Sequence, residues 1–329
     1  MPPRISMTGN GILCRTGSRS VLLDPRAIDR NAVNFVSHAH ADHLPARNGG
    51  DGGTVLASSH TREIASLRGV KLPAHAGSED GFELVDSGHI LGSRGLLFDD
   101  IFYTGDICTR DRGFLRGARI PRCKVLITEC TFGLPEFRFP SIRDTTIRVN
   151  RIISELYERG VPVVLMGYQL GKAQTLTGLF GHWMPLYLHD SVLEMNALHR
   201  RLGVNLADGA GHTQAESRGL LDSRPWLMVA PVMSERSGFV REMKSRYGAV
   251  TIGFSGWAQS NRVSFGRRTD YSIPMSDHCD YAELVRLVRQ SGAETVYTVH
   301  GFTAEFAQSL RDIGIEAESL ERAASGGAS

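Results

Sequence analysis

The stretch between Ser37 and Leu44 constrains this chain more than any other. His38-Ala39-His40-Ala41-Asp42-His43 packs three imidazoles and a carboxylate into six residues, directly after an apolar run ending in Phe35-Val36. Zinc-like divalent ions take neutral imidazole nitrogen and carboxylate oxygen as ligands. In extended or loop backbone, residues two apart point the same way. His38 and His40 can therefore reach one ion, while Asp42 and His43, past the bend, can reach a second. A helix would instead pair positions four apart, as in H-E-x-x-H, and this spacing differs. The chain holds only 12 histidines among 329 residues, so three of them around one aspartate match an incidental surface loop poorly. A fold for this sequence has to bring a strand end to a metal site.

Other strand ends repeat the pattern. A hairpin over residues 10–25 closes in Leu23-Asp24 and stops at Pro25, which has no N–H for a ladder. Asp24 reads equally as a turn-capping aspartate or as a carboxylate that orients a metal-bound histidine. The strand over 81–89 runs into Gly88-His89, and a histidine at a glycine-flanked strand end is placed to ligate. Ile101-Phe-Tyr-Thr-Gly-Asp106 ends in a glycine that lets the backbone approach a ligand closely. Asp106 is expected to bridge, because two neighbouring cations need a shared anion. Lys124-Val-Leu-Ile-Thr-Glu129 ends a further strand in a carboxylate, and later strands end in Ser276-Asp277-His278 and Val299-His300-Gly301. His60 and His75 lie in polar surroundings and read as surface residues.

Hydrophobic content of 41% and charged content of 22% fit a soluble globular protein. A net charge of +2 neither demands nor excludes a polyanionic partner. The five cysteines are odd in number and form no C-x-x-C, which argues for reduced, buried thiols and against a disulfide frame. No apolar run approaches the ~20 residues that cross a bilayer, and Met1-Pro-Pro-Arg4 leads into a polar stretch unlike a signal peptide. The expected location is the cytoplasm, with no membrane partner.

The fold class reads as α/β. Between 136 and 264, near-continuous apolar strands alternate with helices, as in a parallel module. A helix is expected from Asp144 to Gly160, with Thr145 or Thr146 as start signal and Ile147, Ile153, Leu156 and Tyr157 on one side. Late in the chain, strands ending in histidine and aspartate return. The expected organisation is one domain over 1–135 and 265–320, an inserted module over 136–264, and a frayed tail over 321–329.

The order of these sites resembles the metallo-β-lactamase superfamily. It runs strand-end Asp24, H-x-H-x-D-H, Gly-His89, Gly-Asp106. Thr128-Glu129-Cys-Thr-Phe-Gly133, Gly167-Tyr-Gln-Leu-Gly-Lys-Ala-Gln174, Ser-Asp-His278 and Val-His300-Gly resemble its β-CASP branch, over about residues 8–320. The resemblance implies two sheets sandwiched between helices, metals at one edge, and an inserted β-CASP module. Members of the branch are nucleases on RNA or DNA. By resemblance, His38, His40 and His89 hold one zinc, Asp42, His43 and His300 hold the second, and Asp106 bridges them. Mn²⁺ is the other metal in view. The resemblance also makes Asp24 the residue that orients a ligand from behind. Glu129 pairs with His278 by a hydrogen bond, and His300 at the third motif tilts toward RNA. The resemblance is to the compact archaeal mRNA 3′-end-processing-factor-like or ligase-associated exonuclease type, expected to lack the leading RNA-binding domain of larger archaeal members and the long C-terminal domain of RNase J.

Hydrolysis of a phosphodiester suits these parts. Two metals neutralise the anion and lower the pKa of a water. Asp106 or Asp42 accepts its proton, and His278, oriented by Glu129, protonates the leaving oxygen. The expected products carry 5′-phosphate and 3′-hydroxyl. Gly171 and Lys172, at a strand–glycine–helix junction, and Ser255-Gly256 are expected to contact substrate phosphate, as helix N-termini do. No Ser or Thr follows Lys172, so this is no Walker A. Arg236, Arg262, Arg267 and Arg268 read either as a groove lining or as solvated surface. The function expected is a two-zinc nuclease on single-stranded RNA, exo- or endonucleolytic. The alternatives are a DNA 5′ exonuclease in repair, a small-molecule metallo-hydrolase and a non-catalytic RNA-binding scaffold. A homodimer or a processing-complex subunit are the assemblies in view.

Overall fold

The computed structural model describes residues 3–17, 19–46, 53–73, 80–259 and 269–320. His75, Arg262, Arg267, Arg268 and the tail over 321–329 lie outside the described residues. The chain divides into two units: Met1–Arg110, Gly117–Glu136 and His278–Ser329 form the first, and Asp111–Arg116 with Phe137–Asp277 form the second.

The first unit opens with strands β1 (Arg4–Thr8), β2 (Gly11–Thr16), β3 (Arg19–Leu23), β4 (Val33–Phe35) and β5 (Val55–Leu56), which make one sheet in that order. Helix α1 (Ser59–Leu67) follows, then β6 (Glu83–Asp86), β7 (Arg94–Phe98), β8 (Ile101–Tyr103) and β9 (Val125–Cys130). The second unit then supplies α2 (Ile142–Tyr157), β10 (Val163–Gly167), α3 (Lys172–Phe180), β11 (Leu186–Leu188) and α4 (Asp190–Arg201). It continues with β12 (Ala210–Gly211), α5 (His212–Ser217), β13 (Leu227–Pro231), α6 (Gly238–Tyr247), β14 (Val250–Phe254) and β15 (Tyr271–Ile273). The first unit resumes with α7 (Tyr281–Ser291), β16 (Thr295–Gly301), α8 (Thr303–Asp312) and β17 (Ala317–Ser319).

In the first unit, the second sheet runs β17-β16-β9-β8-β7-β6. Side chains alternate across a strand, and this sheet uses both faces. Ile101, Tyr103 and Ile127 join Val21, Leu23 and Phe35 of the first sheet in one core, so the two sheets share it. Phe102 and Leu126 turn the other way and pack with Leu284, Leu287, Phe306 and Leu310 of α7 and α8. β3 and β4 are parallel, as are β8, β9 and β16. The carboxyl ends of these strands are where the chain places Asp24, the histidine motif, Asp106, Glu129 and His300.

The second unit is a six-stranded sheet ordered β12-β11-β13-β10-β14-β15, parallel in every pairing. Its two cores hold α2, α3 and α4 on one face and α5 and α6 on the other. Three details differ from the sequence-based expectation. The strand at 271–273, expected with the returning first domain, pairs with β14 through Ile252↔Tyr271 and belongs to the second unit's sheet. Its short apolar run carries no mark of which sheet it joins. Ser141, not Thr145 or Thr146, caps α2 by accepting from Asp144 N, and Ile147 on that helix faces solvent. The buried stripe is Thr145, Val149, Ile152, Ile153 and Leu156. No helix among the described residues is long and apolar enough to cross a membrane.

Candidate metal centre

Asp24 follows β3 at φ +43°, a conformation that L-residues with a Cβ rarely adopt. The strained turn points a buried carboxylate at four donors. Asp24 Oδ1 accepts from Ser37 N at 2.7 Å, and Oδ2 accepts from Ser37 Oγ, His43 Nδ1 and Tyr103 OH, each at 2.7 Å. Burial pushes the Asp24 carboxyl up, but His43 and Ser37 outweigh it and hold it below its ordinary value. Burial, with Asp24 beside it, keeps the Tyr103 phenol protonated, well above its ordinary range.

These bonds fix tautomers. Ser37 has one hydroxyl proton, and an ionised carboxylate only accepts. Ser37 Oγ therefore donates to Asp24 and accepts from His38 Nδ1 at 2.9 Å, which leaves the lone pair on His38 Nε2. His43 gives its Nδ1 proton to Asp24 and presents Nε2. Burial holds His38 well below its usual pKa, so it is neutral, the form that ligates. Burial also opposes a proton on His43, but Asp106 and Asp24 outweigh it and raise that ring to about 10. Such a ring holds a proton wherever a cation does not replace it.

Three ring nitrogens then converge. His40 Nδ1 lies 3.0 Å from His38 Nε2 and 3.1 Å from His89 Nε2. A hydrogen-bonding account would need the single His40 Nδ1–H to be shared between both rings, whereas nitrogens about 2.0–2.1 Å from a common zinc stand roughly 3 Å apart. Asp106 Oδ2 is 3.5 Å from both His38 Nε2 and His89 Nε2, and its Oδ1 is 3.5 Å from His43 Nε2. The two oxygens of one carboxylate thus face two different histidine sets. His38, His40, His89 and Asp106 can hold a metal ion, their ligand atoms all lying within 4.8 Å of one another.

The remaining positions gather more loosely. Asp42 is exposed, with Oδ2 3.7 Å from His43 Nε2, and the His300 ring centroid is 5.3 Å from that of His43. His300 occupies the register shift between β16 and β9 and adopts φ +54°. A bulge of this kind re-aims one side chain. Glu129 lies in β9 with both oxygens engaged: Oε1 accepts from Ile107 N at 3.0 Å and meets His278 Nδ1 at 2.8 Å, and Oε2 accepts from Thr131 N at 3.0 Å. Burial favours a neutral Glu129, but His278 outweighs it and holds the carboxyl well below the ordinary range. Asp106, Glu129 and His278 form a further metal-capable group, which the sequence alone does not single out.

Sequence reasoning also misses Ser37, Tyr103 and Arg110. Arg110 Nη2 donates to His278 O at 2.6 Å. None of the three carries a spacing signal. The glycine before Asp106 makes room for Ser37 rather than for a ligand: a Cβ on Gly105 would lie 2.6 Å from Ser37 Cβ.

The residues expected to contact phosphate lie in the second unit. Gly171, Lys172, Ser255 and Gly256 are all buried in the second unit. Lys172 Nζ lies 2.9 Å from Asp277 Oδ1 and donates to Met275 O at 3.0 Å. Gly171 N donates to the Gln174 side chain at 2.8 Å, and Ser255 N to Ile273 O. These donors are committed to the fold. Arg236 is exposed, and His60 is half-buried at the start of α1.

No family model matches the chain. It is 30% identical to a probable DNA ligase of Opitutus terrae over 296 residues, 86% of this chain and 28% of that protein. It is 28% identical to the transcription termination factor FttA of Lokiarchaeum over 132 residues, 35% of this chain and 21% of that one. An RNase J-like protein of Methanocaldococcus jannaschii is 27% identical over 135 residues, 36% of this chain and 31% of that one. The chain belongs to the metallo-β-lactamase superfamily, in its β-CASP nuclease branch. This β-CASP chain spans less than a third of the length of each of these relatives. Its fold matches a crystal structure of a protein of unknown function from Enterococcus faecalis V583, with TM-score 0.67 and 15% identity, over 98% of this chain and 97% of that one.

Proposed function

We infer that this β-CASP chain is a two-metal phosphodiesterase on single-stranded nucleic acid, RNA in the first place. The observation that carries the reading is Asp106, whose oxygens face His38 and His89 on one side and His43 on the other at 3.5 Å. A carboxylate so placed would serve two cations at once. The ligand types suit zinc, with manganese the other candidate. His38, His40, His89 and Asp106 would hold one ion, and Asp42, His43, His300 and Asp106 the other. When bound, such a pair supplies positive charge to the phosphoryl oxygens and a more acidic water.

The chain's own groups supply the rest. Asp42 or Asp106 accepts the proton of the attacking water. Glu129 fixes His278 by its Nδ1, leaving Nε2 to protonate the leaving oxygen. The His278 side chain is 21% exposed, so a substrate can reach it. In-line hydrolysis leaves 5′-phosphate and 3′-hydroxyl ends. A cytoplasmic location, with the chain a homodimer or a processing-complex subunit, accompanies this reading. A DNA 5′ exonuclease in repair is the second reading, favoured by the probable DNA ligase that matches 86% of the chain.

The test uses 5′-labelled single-stranded RNA and DNA of one sequence, both 5′-phosphorylated, with and without chelator. Chelator-sensitive cleavage of RNA supports the first reading, and preferential cleavage of DNA the second. His278→Ala is expected to cut about 10²–10⁴-fold more slowly with unchanged metal content. If metal-loaded wild type cuts neither strand, the nuclease reading fails.

A further inference from the structure

We propose that the carboxyl edge of the second unit's sheet carries a stacking site for a nucleobase of single-stranded nucleic acid, built from His189, His212 and Phe239, with Tyr168 at the end of β10 on the same edge. The proposal rests on the nuclease reading and deepens it by adding a substrate subsite.

The topology marks the edge. Neighbouring parallel strands β12, β11, β13 and β10 end together, and the residues after three of them are His212, His189 and Tyr168. α3, which follows β10, packs into the core on one face, while α6, which follows β13, packs into the core on the other. In open α/β sheets, ligands bind outside the carboxyl ends where successive connections leave to opposite faces. The chain places aromatic and imidazole rings at that point.

The rings are ordered relative to one another. His189 and His212 lie parallel within 3°, with centroids 6.2 Å apart. Phe239 stands perpendicular to both, at 5.1 Å from His189 and 5.0 Å from His212. All three are half-buried, so part of each ring meets solvent. His189 Nδ1 accepts from Ser191 N at 3.3 Å, which favours the neutral ring. His212 Nε2 is buried with no hydrogen-bond partner among the described residues, the Glu216 carboxylate being 3.8 Å away. Local hydrogen bonding therefore does not explain an imidazole there, whereas a ring face does. Tyr168 is 52% exposed. Arg236 and Arg241, both exposed at the start of α6, lie close in sequence to Phe239 and can meet the phosphate of a stacked nucleotide. Half-buried ring faces with flanking cations are the composition that binds single strands without sequence preference.

The test measures binding of a fluorescent phosphorothioate hexamer, which resists hydrolysis, to the full metal-loaded chain, beside an abasic hexamer of the same backbone. Losing one stacking partner typically weakens binding by about five- to a hundredfold. His189→Ala, Phe239→Ala and Tyr168→Ala are expected to lose at least about fivefold for the base-bearing hexamer, and Phe239→Tyr to keep wild-type affinity. Tyr168→Ala alters an exposed ring and so reports even if a Phe239 variant misfolds. The abasic hexamer is expected to bind all proteins equally weakly. Wild type that binds both hexamers alike, or ring-deleted variants that bind like wild type, would overturn the stacking site. Cleavage of an ordinary oligonucleotide by wild type is measured in parallel. Cleavage with no ring dependence removes the stacking site alone, while neither binding nor cleavage removes the nuclease reading and the subsite with it.

Discussion

Ser37 Oγ lies 2.7 Å from Asp24 Oδ2, and that contact decides which nitrogen of His38 faces the metal-capable cluster. Asp24 holds His43 directly and His38 through Ser37, so one buried carboxylate sets the ligand tautomers of both proposed sites. Partners of this kind tune metal affinity by about 10–100-fold. Ser37→Ala is expected to weaken zinc binding by that order while the fold persists, and Asp24→Asn to weaken it further. Competition with a chromophoric chelator reads both. Wild-type affinity in the two variants would show that Asp24 is only a turn residue.

Gly105 is the steric counterpart of that contact. It adopts φ +55°, and a Cβ there would lie 2.6 Å from Ser37 Cβ and 3.0 Å from Ser37 Oγ. The left-handed conformation costs a residue with a Cβ about 1–2 kcal/mol, and overlap in a packed interior adds about 1–3 kcal/mol. Gly105→Ala is therefore expected to lower stability by about 2–5 kcal/mol and to weaken zinc binding as Ser37→Ala does. A variant that melts earlier yet binds zinc normally would separate the glycine from the site.

What the sequence made legible was local. The spacing in His38–His43, the glycine before His89 and the apolar run before Asp106 all sit within one strand and its following turn, where a two-residue period governs direction. What it hid depends on partners far along the chain. Lys172 opens a helix, as a phosphate-binding lysine would, yet Asp277, 105 positions later, draws it inward. Ser37 looks like any serine until Asp24 folds against it. His300 is turned by a register shift against β9, which no run of residues announces.

Asp277 is a consequence of that inward turn. Its Oδ1 is shared by Lys172, at 2.9 Å, and by Arg112, both fully buried. Deleting one partner of a buried ion pair typically costs about 3–5 kcal/mol. Asp277→Ala is expected to lower the urea midpoint of the chain accordingly, and Asp277→Asn to lower it less. Tolerance of Asp277→Ala would mean that the two cations are satisfied without the carboxylate.

Asp270, in the second unit, offers a pH test that involves none of the metal-capable residues. Burial pushes its carboxyl up, but Lys244 Nζ at 2.7 Å and the amide and hydroxyl of Thr251, both at 2.8 Å, outweigh it and hold it below the ordinary value. A depressed carboxyl stabilises the fold above its unfolded pKa of about 3.9. That contribution is lost as pH falls from there through the folded value. Asp270 is partly exposed, so its contribution is small, about 1 kcal/mol. Asp270→Asn is expected to be less stable than wild type at pH 7, with the gap closing below about pH 4. A gap that stays constant with pH would assign the effect to shape rather than charge.

Arg110 ties the proposed proton donor to a helix cap. Its Nη2 donates to His278 O at 2.6 Å, and its Nε is 3.4 Å from Glu283 Oε1. Glu283 in turn accepts from Asp280 N through Oε2 in the capping box of α7. His278 is thereby fixed at its ring by Glu129 and at its backbone by Arg110. A misplacement of about 1 Å in such a group can cost about 10²-fold in rate. Arg110→Ala is expected to lower kcat by about 10–100-fold with KM and metal content near wild type. Arg110→Lys, which keeps the charge and one donor, is expected to recover part of the loss. If Arg110→Ala lowers the melting temperature but leaves kcat intact, Arg110 serves the helix cap and His278 is positioned by Glu129 alone.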